Sequence, residues 1–194
     1  MANDFILTLY SRTQTVFSLK EISLLFPDTP YLDLKSRVGY FVRVGKLKKV
    51  RRGIYTKGEY DPLELANKIY VPSYISFETV LQKENIVFQY YETLFIATYL
   101  SRQISVDGHL LQYRKMPEKL IMDKTGIEEK TGYFMATKER AFLDSIFLYK
   151  DYYFDNLALL DWDKIFELQS LYQSKSLEKR VRRYYKLYKE DNVK

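Results

Sequence analysis

The chain has 194 residues, no cysteine, one histidine and a formal net charge of +6 at pH 7. The lack of cysteine excludes disulfides, thiolate nucleophiles and thiolate zinc sites, and a single histidine, His109, excludes a metal site with two histidine ligands. With 46% hydrophobic and 29% charged residues, the composition is that of a folded chain, and the length suits one domain or two small ones.

The sequence shows no targeting segment and no membrane-spanning segment. Residues 1–25 lack the basic start, the apolar stretch and the small-residue cleavage site of a secretory signal. No apolar run approaches the roughly 18 residues that a helix needs to cross a bilayer. We therefore expect a cytoplasmic protein with no membrane partner.

The positive charge is concentrated in two segments of the chain. Residues 34–58 contain nine Lys or Arg and no acidic residue, and residues 175–194 contain eight basic and three acidic residues. The remainder of the chain carries a net negative charge. This asymmetry predicts an anionic partner.

The N-terminal residues have the spacing of two short helices. Apolar residues recur at helical intervals over residues 3–12. Further on, Ser18 followed three positions later by Glu21 matches a capping box, in which each side chain binds the backbone N–H of the other residue. A second helix is therefore predicted after Ser18, ending before Pro27.

A third helix is predicted over residues 30–44, with Thr29 as its cap and Pro30 as its first residue. One face is apolar and formed by Leu34, Val38, Phe41 and Val42, whereas the opposite face is polar. Gly45 ends the helix, and residues 47–56 have the pattern of two short strands around a basic turn.

This order of helix, helix, basic helix and basic hairpin is typical of a winged helix-turn-helix, in which one helix enters the major groove of DNA. We predict such a domain over residues 1–58. Tyr40 and Arg43 are expected to reach base edges, while the other cations hold phosphates. The predicted DNA-binding residues are Lys35, Ser36, Arg37, Tyr40, Arg43, Lys46, Lys48, Lys49, Arg51 and Arg52. A solvated basic face, or a surface for RNA or an acidic protein, remains an alternative.

Residues 59–194 are predicted to form an α+β domain with a small sheet covered by helices. The predicted helices begin at Asp61, at Ser73 or Ser76, and at Thr137, and the predicted strands cover residues 94–100, 103–106, 109–113 and 133–135. Asp107-Gly108 is typical of a two-residue hairpin turn. Arg140 and Asp144, four residues apart on a helix, are expected to form an ion pair that ties this helix to the sheet, with Glu139 in the first helical turn.

The C-terminal residues form two further predicted helices, residues 163–173 and a last helix capped by Ser176. The apolar positions of the last helix are mostly tyrosines, and its other positions are rich in Lys and Arg. We expect the tyrosine face to pack on its own domain, with contact to DNA or to a protein partner as the alternative. Tyrosine on this face, together with the lack of a lipidation motif, argues against a membrane contact.

Motifs in both halves of the chain, in a fixed order, resemble those of the AbiEi-type antitoxins, a family of transcriptional regulators in abortive-infection toxin–antitoxin pairs. The motifs are Phe17-Ser18-Leu19, the Val38-x-x-Phe41 spacing, Gly45-Lys46-Leu47, Arg52-Gly53-Ile54-Tyr55, the run from Pro72 to Glu78, the hairpin around Gly108, and the run from Ala136 to Asp144. The resemblance implies that the protein binds double-stranded DNA at its own promoter and autoregulates its operon. It further implies that the second domain neutralises a nucleotidyltransferase-type toxin.

Two other functions are consistent with the sequence. One is an interaction adaptor whose basic segments bind an acidic partner. The other is a metal-dependent nuclease that uses Asp107, Glu128, Glu129 and Lys130, although Thr125-Gly126 predicts a loop before the two glutamates and Asp107 is explained by its turn. We therefore expect a protein without catalytic activity, cofactor or metal, which binds operator DNA as a dimer if that operator is two-fold symmetric.

Overall fold

The computed structural model describes residues 2–191 and shows a mixed α+β architecture with two β-sheets. The helices are α1 (Ala2–Tyr10), α2 (Leu19–Leu25), α3 (Tyr31–Arg43), α4 (Pro62–Ile69), α5 (Phe77–Lys83), α6 (Glu118–Met122), α7 (Lys138–Leu148), α8 (Trp162–Leu168) and α9 (Lys175–Asp191). The strands are β1 (Val16–Ser18), β2 (Lys48–Arg51), β3 (Ile54–Thr56), β4 (Ser73–Ile75), β5 (Leu94–Thr98), β6 (Arg102–Val106), β7 (His109–Lys115), β8 (Ile127–Lys130) and β9 (Tyr133–Ala136). Two 3-10 turns cover Leu157–Leu159 and Gln169–Tyr172.

Several helix starts coincide with those that the sequence predicts. The Ser18 hydroxyl accepts a hydrogen bond from the Glu21 backbone N–H, and the Glu21 carboxylate accepts one from the Ser18 N–H, so the capping box is confirmed. The Asp61 carboxylate caps α4, and the Thr137 hydroxyl caps α7. These side chains satisfy backbone donors that a helix leaves unpaired at its N-terminus.

The N-terminal residues form three helices around a small antiparallel sheet in the order β1-β3-β2. The hairpin between β2 and β3 turns at Gly53, whose φ of +77° is a conformation that other residues rarely adopt. The core of this part consists of buried side chains from all three helices and the sheet, namely Phe5, Leu9, Phe17, Leu19, Ile22, Leu34, Val38, Phe41, Leu47 and Tyr55.

The second sheet has six strands in the order β6-β7-β5-β4-β9-β8. Strand β5 is parallel to β7 and β4 is parallel to β9, whereas the remaining pairs are antiparallel. The β6–β7 hairpin turns at Asp107 and Gly108, both with positive φ, as predicted for this two-residue turn. Helices α5 and α7 pack against each other beside this sheet, and α8 and α9 pack against α7.

A fully buried charged network joins α7 to β4. Arg140 Nε lies 3.3 Å from Asp144 Oδ1, and neither side chain is exposed to solvent. Asp144 also accepts hydrogen bonds from Tyr74, Ser76 and Tyr172. The predicted ion pair within α7 is therefore confirmed, and the hydrogen bond from Tyr74 ties it to the sheet as expected.

Two parts of the second sheet differ from the predictions. Ser73 does not cap a helix but begins β4, and the next helix starts after Ser76. All three residues of β4 are buried, so no alternation of polar and apolar residues marks this strand. Residues 127–130 form the edge strand β8, whereas the sequence predicts a loop before Glu128 and Glu129. Almost no side chain of this segment is buried, so the strand depends on its backbone pairing with β9.

Three helix boundaries also differ from the predictions. Pro30, with ψ of 140°, lies outside α3 as its cap residue, so the helix starts one residue later than expected. Helix α9 begins at Lys175, and the Ser174 hydroxyl rather than that of Ser176 accepts the hydrogen bond from the Leu177 N–H. The predicted helix at 163–173 changes into a 3-10 turn after Leu168. Within residues 2–191, no helix is long and apolar enough to cross a membrane.

The two sheets are joined by a buried contact around Glu64 in α4. Its carboxylate accepts hydrogen bonds from the backbone N–H groups of Thr15 and Val16, at 2.9 and 2.8 Å from Oε2. Val16 and Ile54 of the small sheet pack into the larger hydrophobic core. The N-terminal part is therefore held directly against the second part of the chain.

Candidate nucleic-acid interface

Helix α3 presents a polar face to solvent because its apolar face is anchored in the core. Leu34, Val38 and Phe41 are buried. The predicted DNA-binding residues of this helix, Lys35, Ser36, Arg37, Tyr40 and Arg43, are all exposed. The ring of Tyr40 packs edge-on against Phe41, with centroids 5.2 Å apart, which ties an exposed side chain to a fixed one.

The basic hairpin follows α3 directly. The Lys46 N–H donates to the carbonyl of Phe41 at 2.9 Å, and the Lys46 carbonyl accepts from the Tyr10 hydroxyl at 2.6 Å. These bonds fix the connection between the helix and β2. Lys46, Lys49 and Arg52 are exposed, so their cationic groups are available to an anion in solution.

Lys48 and Arg51 of the same hairpin are held by the second part of the chain. Lys48 Nζ lies 2.7 Å from both carboxylate oxygens of Asp107, and the Tyr60 hydroxyl donates to Asp107 at 2.6 Å. These two hydrogen bonds, that of Lys48 above all, lower the pKa of Asp107. The Arg51 guanidinium lies over the ring of Tyr70, 5.7 Å from its centroid.

The remaining basic residues of residues 34–58 form no ion pair with a carboxylate of the part of the chain that the structure describes, so Lys48 alone is neutralised in this way. Unpaired cations on one helix and the adjoining hairpin produce a positive potential that favours an anionic ligand. The sequence predicts that the basic residues of this surface lie outside the core, and the structure places them there. It does not predict the contacts that Lys48 and Tyr60 make with Asp107, or that of Arg51 with Tyr70, because the partners in each contact are far apart in sequence and no local pattern connects them.

The residues of the nuclease alternative are not brought together. Asp107 lies at the turn between β6 and β7, and Glu128 and Glu129 lie on β8 at the opposite edge of the six-stranded sheet. With about 4.8 Å between neighbouring strands, this arrangement separates them by roughly 20 Å. Glu128 forms an ion pair with Lys130 at 2.6 Å. Among residues 2–191 no group of three His, Asp or Glu side chains is placed to hold a metal ion.

Helix α9 packs on its own domain, as expected for a tyrosine-rich face. Leu177, Val181 and Tyr184 are buried, and the Tyr184 hydroxyl donates to the Tyr152 carbonyl at 2.7 Å. The Arg180 guanidinium donates to the Ile146 carbonyl near the end of α7, where a cation is favoured by the helix dipole. The basic residues Lys179, Arg182, Lys186 and Lys189 remain exposed.

The surface formed by α3 and the hairpin is thus supported by the core beneath it and carries a concentrated positive charge. Comparison with known proteins adds no assignment, because no protein-family model and no curated protein matches this sequence.

Proposed function

We propose that the protein is a DNA-binding transcriptional regulator without catalytic activity, and that residues 1–58 act as a winged helix-turn-helix. The observation that carries the proposal is the exposed polar face of α3, anchored by Leu34, Val38 and Phe41 and followed at once by a hairpin with unpaired cations. The element order α1-β1-α2-α3-β2-β3, in which β1 joins the hairpin in one sheet, supports the same interpretation. In this arrangement α3 enters the major groove and the hairpin contacts the adjoining backbone.

The two kinds of contact have different roles in this mechanism. Tyr40 and Arg43 lie on the exposed face of α3 and reach base edges, where an arginine pairs best with guanine. Lys46, Lys49 and Arg52 contact phosphates, which fixes the register of the protein on the duplex without reading sequence. The Lys48 ammonium forms its ion pair with Asp107 and thereby holds the hairpin against the second part of the chain.

The resemblance to AbiEi-type antitoxins extends the proposal to biological role. On that basis the protein represses its own operon, binds its promoter as a dimer where the operator is symmetric, and neutralises a nucleotidyltransferase-type toxin through residues 59–194. The DNA-binding part of the proposal is supported by the geometry of α3 and the hairpin, and the toxin-neutralising part by the motifs.

DNA binding by this surface should depend strongly on salt. If four to six phosphates are neutralised per protomer, the logarithm of the association constant should fall with the logarithm of salt concentration at a slope of about −4 to −5 per protomer. Fluorescence anisotropy with a duplex from the region upstream of the gene measures this slope. A slope near zero would refute DNA binding as the function.

Substitutions on the helix and on the hairpin should have different effects. Arg43→Gln should weaken binding to the operator by about 1–3 kcal/mol and relax the sequence preference, because a base contact is lost. Arg52→Gln should weaken binding to all duplexes alike and reduce the salt slope by about one. Titrations of operator and random duplexes compare the two variants. Equal losses on operator and random DNA for Arg43→Gln would contradict the assigned base contact.

A further inference from the structure

Tyr70 lies between arginines from two different parts of the chain. Arg102, on β6, donates from its Nη1 to the Tyr70 hydroxyl at 3.2 Å, and Arg51, on β2, lies over the Tyr70 ring at 5.7 Å from the centroid. The pKa of Tyr70 is lowered, chiefly by the hydrogen bond from Arg102 and also by the charges of both arginines. The second sheet thus places a cation beside the basic hairpin.

A buried aromatic ring packs against Tyr70 and fixes its position. Tyr113 packs edge-on against Tyr70, with centroids 4.7 Å apart and an interplanar angle of 88°. Tyr113 is fully buried, and its hydroxyl donates to the Ala66 carbonyl at 2.8 Å. The Tyr70 side chain is therefore held in place by Tyr113 and does not rotate freely at the surface; we call it the Tyr70 platform.

The charges at this platform are not balanced by an acid. Within residues 2–191, neither Arg51 nor Arg102 forms an ion pair with a carboxylate, whereas nearby Lys48 is paired with Asp107. Two guanidinium groups beside one tyrosine side chain, one at its hydroxyl and one over its ring, repel each other unless an anion lies between them. The Tyr70 hydroxyl accepts from Arg102, so its own hydrogen is free to be donated to that anion.

We infer that Arg51, Tyr70 and Arg102 form a binding site for one phosphate of the DNA backbone, where the basic hairpin meets the second part of the chain. Both guanidinium groups and the phenol donate to phosphate oxygens, which is the geometry in which arginine binds phosphate well. The site rests on the proposed function and deepens it, because it makes the second part of the chain a direct contributor to DNA binding. It also extends the footprint beyond the residues that the basic segment supplies.

The test compares Arg102→Gln with the matched control Arg182→Gln, an exposed arginine on α9 that removes the same charge. Arg102→Gln should reduce the salt slope by about one, so that its loss of affinity relative to wild type shrinks about threefold between roughly 50 and 200 mM salt. Arg182→Gln should match wild type. Thermal unfolding of each variant verifies that the exposed substitutions leave the fold intact.

A second comparison tests whether the two arginines share one phosphate. In that case, the double variant Arg51→Gln/Arg102→Gln should reduce the salt slope by no more than either single variant, and the two losses of affinity should not add. A slope reduced by about two would overturn the shared site, as would an Arg102→Gln variant that behaves like wild type or like the Arg182 control. A wild-type protein without salt-dependent binding would instead refute the proposed function itself.

Discussion

Replacing Asp144 by asparagine should lower the free energy of unfolding by roughly 3–5 kcal/mol, the largest stability effect that we expect from a single substitution in this chain. Asp144 is the carboxylate partner of a guanidinium that is fully buried. Without its negative charge, Arg140 would remain in a low-dielectric interior with no counterion. Removing one partner of such a pair costs more than the pair itself contributes.

The hydrogen bonds of Asp144 add to this expectation. Ser76 donates to it at 2.7 Å, Tyr172 at 2.6 Å and Tyr74 at 3.1 Å, so the carboxylate joins β4, α7 and the turn before α9. An asparagine amide offers a donor where a carboxylate oxygen now accepts, and at least one hydroxyl would face another donor. The network would lose its charge and part of its hydrogen bonding at once.

Urea denaturation followed by circular dichroism measures this loss. Asp151→Asn is the matched control, because Asp151 forms an ion pair with Arg183 at 2.9 Å with 85% of its side chain exposed. Exposed pairs contribute about 0–1 kcal/mol, so the control should stay close to wild type. Equal effects of the two substitutions would show that the buried network does not stabilise the fold.

Local signals explain which elements the sequence predicts. The capping box at Ser18, the helix start at Thr137 and the turn at Asp107-Gly108 depend on residues within four positions of each other, and the structure confirms all three. Strands β4 and β8 could not be predicted, since one is short and buried throughout and the other is an exposed edge. Their formation depends on pairing with strands that are distant in sequence.

The same distinction applies to the candidate site. Its exposed residues on α3 follow from helical periodicity, because the core positions Leu34 and Val38 fix which face is outside. The contacts that Lys48 and Arg51 make with residues after position 58 follow from tertiary packing alone. No sequence pattern marks Arg102 as part of the candidate site, since it lies in an ordinary strand of a hairpin.

Glu64 connects the two parts of the chain through backbone hydrogen bonds and not through a salt bridge. It is 2% exposed, and its Oε2 accepts from both Thr15 and Val16. The neighbouring backbone at Gly132 is so close that an added Cβ would lie 2.6 Å from Glu64 Cδ. The Glu64 side chain therefore packs directly against the backbone of Gly132.

Glu64→Ala should therefore lower the free energy of unfolding by about 2–5 kcal/mol, because the buried N–H of Val16 and the part-buried N–H of Thr15 lose a charged acceptor, at a cost of roughly 1–3 kcal/mol each. Glu64→Gln should lose much less, since an amide oxygen placed where Oε2 now lies still accepts from Thr15 and Val16. Glu92→Ala, an exposed position in the loop before β5, should stay within about 0.5 kcal/mol of wild type. Urea denaturation of the three variants measures these differences. If the alanine and glutamine variants were equally unstable, the charge of Glu64 would be the stabilising element. If both variants matched Glu92→Ala, the other contacts between the two parts would hold them together without Glu64.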